Sequence, residues 1–152
     1  EEPEKFLFTD PVVHVEEVFF FPKSSELEYK HPADLYGKTI VTPLGYYYPF
    51  LEPYFKDHRI KRFDVSRDRE IFTFVLHGEQ FHAALADRLV GQWILRNEGL
   101  TEHFRSSVEG ISQFGFRIML RKDWKAFAEA FNQELANIQE NGELDAILSN
   151  YR

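Results

Sequence analysis

The sequence predicts an α/β protein with a mostly parallel sheet flanked by helices. Short apolar runs alternate with helical stretches from Val18 to Asn97, the pattern of successive βαβ units. From Asp123 the period changes: Trp124, Phe127, Ala128, Phe131, Leu135 and Ile138 recur at spacings of three and four, as along one face of a helix. Hydrophobic residues make up 43% of 152, and 16 are Phe. A chain of that length buries roughly 68–70% of its unfolded surface, so a packed core is expected.

Taken in order, Val18–Phe21 reads as a strand ended by Pro22, and Pro32 starts a helical turn before Ala33. Lys38–Thr42 is a second strand. Tyr46–Phe55 has helical character, shortened by Pro49 and Pro53. Arg59–Val65 is a third strand; Ser66 is then expected to cap a helix running to Leu76 and ended by Gly78. Phe81–Ala86 is a fourth strand and Arg88–Asn97 a helix. Phe104–Val108 and Phe116–Leu120 read as further strands. A long helix from Asp123 breaks at Asn141-Gly142, and Leu144, Ile147, Leu148 and Tyr151 form a last short one. There is no internal repeat.

The formal charge of −7 and the scattered basic residues argue against nucleic acid as a partner. No apolar stretch approaches the ~20 residues that span a bilayer. The absence of Cys excludes disulfides and thiol nucleophiles. The six His show no HxH or HxxxH spacing, so neither a metal site nor a cofactor is expected. No nucleophile elbow, P-loop or dinucleotide fingerprint occurs, and nothing points to an enzyme.

Two places carry candidate function. In "FHAALAD", residues 81–87, a small-residue strand ends in Asp87 just before a helix. Ligands of open α/β sheets bind beyond the carboxyl ends of strands, so Asp87 is a candidate binding residue; equally, it is a plain helix cap. In "IVTPLGYYYPF", residues 40–50, Gly45 lets the backbone turn close to a ligand and the following tyrosines could line a pocket. The competing reading is that one or two of Tyr46, Tyr47 and Tyr48 pack into the core.

The order of segments resembles a known family. "FLFTDPV" (6–12), "DLYGKTIVTPLG" (34–45), "REIFTFVLHGEQFHAALAD" (69–87) and "FAEAFNQELANIQENGELDAILSNY" (127–151) resemble the bacterial periplasmic solute-binding proteins of the amino-acid type, receptors of ABC importers. The resemblance implies a periplasmic-binding-protein type II-like fold, one complete lobe plus part of the other. Residues 1–14 would be the end of the first lobe and a crossover strand, 15–112 the second α/β lobe, and 113–152 the return strand and closing helices of the first. Much of the first lobe would be lacking, leaving Trp124, Phe127 and Phe131 exposed and open to self-association.

The same resemblance implies a non-catalytic, periplasmic or extracellular domain that binds a small polar ligand, an amino acid or amine, and delivers it to the membrane permease. A sensor domain of a signalling receptor is the alternative; an enzyme on this fold ranks behind it. The implied ligand-binding residues are Gly45, Tyr46, Tyr47 and Asp87, with Asp87 holding the ligand's ammonium. The sequence departs from the family in two ways. Tyr46 and Tyr47 replace small hydroxyl residues after Gly45, and no Arg precedes "FTDP", where Lys5 is a weaker substitute. Both departures favour a ligand whose positive charge dominates.

Overall fold

The computed structural model describes residues 6–151. Lys5 and Arg152 lie outside the described residues. The chain divides into two compact units, Glu16–Gln113 and a second made of residues up to Val15 together with those from Phe114 onward.

In the larger unit the strands are β2 (Val13–Pro22), β3 (Thr39–Pro43), β4 (Lys61–Val65), β5 (Ala83–Asp87) and β6 (Phe104–Ser106), in sheet order β4-β3-β5-β2-β6. β7 (Ser112–Phe116) also pairs with β2. β4, β3 and β5 are parallel. β2 is antiparallel to both β5 and β6. The α/β class therefore holds, and the sheet is mixed: the parallel part is the three strands joined by helical crossovers, whereas β2 arrives without one. The expected strand 18–21 is the apolar half of β2.

Alternation along the strands gives the sheet two buried faces. Val18, Phe20, Val41, Ala84 and Ala86 pack under α2 (Glu70–His77) and α3 (Arg88–Asn97). Phe19, Phe21, Ile40, Ala83 and Leu85 face a second cluster with Tyr29, Leu35, Tyr48, Leu51 and Phe55. α3 needs a glycine where it crosses the sheet, because a methyl on Gly91 would stand 2.4 Å from Phe20 Cζ.

Several local expectations are corrected. Residues 46–50 form no helix; helix α1 is confined to Glu52–Lys56, since Pro49 withholds an N–H and restricts the residue before it. Ser66 does not cap α2, whose N-cap is Arg69, making no side-chain cap bond. The expected strand Phe116–Leu120 is split: β7 ends at Phe116 and β8 spans Met119–Arg121.

The smaller unit explains that split. β1 (Phe6–Phe8) pairs antiparallel with β8. Buried Thr9 then exchanges bonds with the break: its N–H donates to Ile118 O at 3.0 Å, and its Oγ1 accepts the Ile118 N–H at 2.9 Å. The Arg117 guanidinium donates to Thr9 O. Asp10 N–H donates to Asn132 Oδ1 on α4 (Lys125–Glu140), so the "TDP" segment is a structural clasp. α5 (Glu143–Leu148) follows, and Trp124 and Phe127 are half exposed.

Candidate functional site

Parallel pairing sets Ile40 beside Ala83 and Val41 beside Ala84. On that register Pro43 is level with Ala86, so the turn at Gly45 and the carboxylate of Asp87 emerge at the same edge of the sheet. Gly45 adopts φ +88°, a left-handed conformation that side chains resist, and an added Cβ there would meet open space. The glycine is required by backbone shape alone.

The three tyrosines divide their roles. Tyr48 is 1% exposed and lies in the core layer with Leu51 and Leu85. Burial raises its phenol above the usual tyrosine range. Tyr46 is 52% exposed, and its ring stacks on Tyr48 with centroids 6.3 Å apart and planes 22° from parallel. Tyr47 is 67% exposed. Core packing and surface presentation thus both occur, one residue apart.

Asp87 is partly buried and caps α3: Oδ1 accepts the Val90 N–H at 2.9 Å. Oδ2 accepts the Glu16 N–H at 3.2 Å. A carboxylate has about four acceptor positions, and these bonds use two of them. The capping reading is therefore correct, and it leaves the binding reading standing. Neighbouring Arg88 does not neutralise this edge from within, because its guanidinium pairs with Glu16 at 2.9 Å and donates to Ser107 O and Val108 O. That pairing holds the Glu16 carboxyl below its usual range.

Two residues escaped the sequence reading. Glu17 is the Cα partner of Asp87 across β2 and β5, and Ser112 Oγ donates to its Oε2. Burial raises its carboxyl, with Asp87 adding to the rise. A pair of Glu inside a mostly apolar strand was the available signal. Arg62 on β4 lies against Tyr48 and donates to Tyr46 O; no sequence pattern marks it. Among the described residues, no group of three or more His, Asp or Glu is placed to hold a metal ion. Nor is any helix among them long and apolar enough to cross a membrane.

The fold agrees with the comparisons. The chain is similar in fold to a mutant of ArgBP from T. maritima, at a TM-score of 0.70 and 20% identity over 97% of this chain and 62% of that one. It is similar to the GluR0 ligand binding core in complex with L-glutamate, at 0.75 and 13% over 99% and 68%. A structure concerning glutathione import in Gram-positive bacteria via GshT and the cystine ABC importer TcyBC of Streptococcus mutans gives 0.71 and 20% over 97% and 63%. The chain thus spans less than two thirds of the length of ArgBP. No curated protein matches it. The family model for bacterial extracellular solute-binding proteins, family 3, matches residues 1–152, and the chain belongs to that family.

Proposed function

We propose that this protein binds a small amine or amino acid whose positive charge dominates, through Asp87 and the turn Gly45–Tyr47, and delivers it to the permease of an ABC importer. The observation that carries the reading is the shared edge: Asp87 ends β5 where the tyrosine turn leaves β3. A cationic group there would meet the free lone pairs of Asp87 and the stacked ring of Tyr46, so charge pairing and cation–π attraction act on one atom group. The internal pairing of Arg88 keeps the edge acidic. In this reading unit Glu16–Gln113 is the second lobe, and the other unit belongs to the first. The protein works outside the cytoplasmic membrane, as a binder and not a catalyst.

A thermal-shift panel on the intact protein tests it, because a ligand that binds only the folded state raises Tm. L-arginine, L-lysine and putrescine should raise Tm more than L-glutamine or L-glutamate at equal concentration. A panel in which only acidic amino acids shift Tm would overturn the assignment.

A further inference from the structure

We infer that Arg62 is the positioning residue of the tyrosine turn, acting through the Tyr46 carbonyl and the Tyr48 ring to set where Tyr46 presents its face. The inference rests on the reading of Gly45–Tyr47 as one wall of the binding site.

Arg62 sits on the edge strand β4, where a basic side chain is ordinarily a solvated one. Here most of it is covered, with the side chain 18% exposed. Its guanidinium is held on several sides at once. Nε donates to Asp64 Oδ1 at 2.8 Å, and Nη2 donates to Tyr46 O at 2.6 Å. Cζ lies 5.3 Å from the centre of the Tyr48 ring and 5.6 Å from that of Phe55. Asp64 is itself anchored, since its Oδ1 accepts Thr42 Oγ1 at 2.6 Å on the next strand. A chain of contacts therefore runs from β3, through Thr42 and Asp64, to Arg62 and out to the carbonyl of an exposed loop residue.

The loop needs such a tie. Leu44 N–H donates to Val65 O, and Leu51 N–H donates to Tyr48 O. Between them Gly45 has the widest conformational choice of any residue, and Tyr46 and Tyr47 are exposed. Arg62 reaches across from the neighbouring strand and fixes the Tyr46–Tyr47 peptide, one residue beyond this glycine. Only a planar fork can bond Asp64 and a carbonyl together while lying over a ring; an ammonium makes one of these contacts well. Asp64 also balances the guanidinium charge, so Arg62 can stand beside a site for cations without repelling them.

Arg62→Lys in the intact protein tests this, with two readouts. Amide exchange of Leu44 and Leu51, whose N–H groups donate to Val65 O and Tyr48 O on either side of the turn, should quicken by about tenfold, the loss of one charge-assisted bond, while amides of α3 keep their rates. Affinity for L-arginine in calorimetry should fall about tenfold with Tm shifted by only a few degrees. Tyr46→Phe keeps the carbonyl and should leave loop exchange unchanged. Should Arg62→Lys fail to fold, Asp64→Asn releases the same anchor and should give the same loop exchange. Unchanged exchange at Leu44 and Leu51 in the folded variant overturns the inference. Faster exchange with unchanged L-arginine affinity upholds the hold of Arg62 on the turn and overturns the turn's role as a wall of the site.

Discussion

Glu17 stands opposite Asp87 where β2 and β5 pair antiparallel, and the two carboxylates share one face of the sheet. Burial, and then the charge of Asp87, raises the Glu17 carboxyl above its ordinary 4.5. A raised folded-state value means that the stability linked to this group is fully present below 4.5 and is lost as pH rises through the folded value. Glu17→Gln keeps an acceptor for Ser112 and removes the charge. The variant should melt above the parent at neutral pH, with the gap closing on acidification. A gap independent of pH would show that Glu17 acts through shape alone.

His82 gives the opposite slope. Its Nδ1 accepts the Thr39 N–H at 3.0 Å, which a protonated ring cannot do. Burial, with the charges of Lys38 and Lys61, lowers the imidazole below its ordinary 6.5. The associated stability is present above 6.5 and is lost as pH falls through the folded value. Replacing His82 by Asn should flatten the fall in Tm on mild acidification, read by calorimetry across that window. An unchanged slope would place the acid sensitivity elsewhere.

Gly91→Ala sets helix propensity against packing. Alanine gains up to about 1 kcal/mol within a helix. The new methyl would meet Phe20, a ring buried at 1% exposure and held edge-on to Phe72 at 5.2 Å. Overpacking costs about 1–3 kcal/mol, so denaturant titration should find the variant destabilised. A more stable variant would mean that Phe20 is free to turn aside.

The parts of the fold legible in the sequence were those with local causes. Helix α3 spans Arg88–Asn97, the range expected, with Asp87 as cap. The antiparallel placement of β2 had no local signal, because pairing partners 64 to 70 residues apart leave no spacing to read. The split at Arg117-Ile118 was hidden because it is made by Thr9, more than a hundred residues away. At the candidate site, Gly45 and Asp87 were visible as a turn former and a strand-end carboxylate. Which tyrosine of three turns inward was not visible, since identical neighbours carry no contrast; packing against Leu51 and Leu85 decides for Tyr48.

The central claim, that Asp87 reads the positive charge of the ligand, is tested most directly by calorimetric titration of Asp87→Asn in the intact protein. Asn is as good a helix cap as Asp, so the Val90 N–H keeps its acceptor and the fold should be preserved. The charge is removed, together with the longer 3.2 Å bond that Oδ2 accepts from the Glu16 N–H. L-arginine should then bind at least about tenfold more weakly, as when a charge-assisted pair loses one partner, while the affinity for N-acetyl-L-glutamine, which has no ammonium, barely changes. Equal loss for both would mean that Asp87 only positions the edge. Unchanged affinity for both would contradict the account and leave Asp87 as the cap of α3.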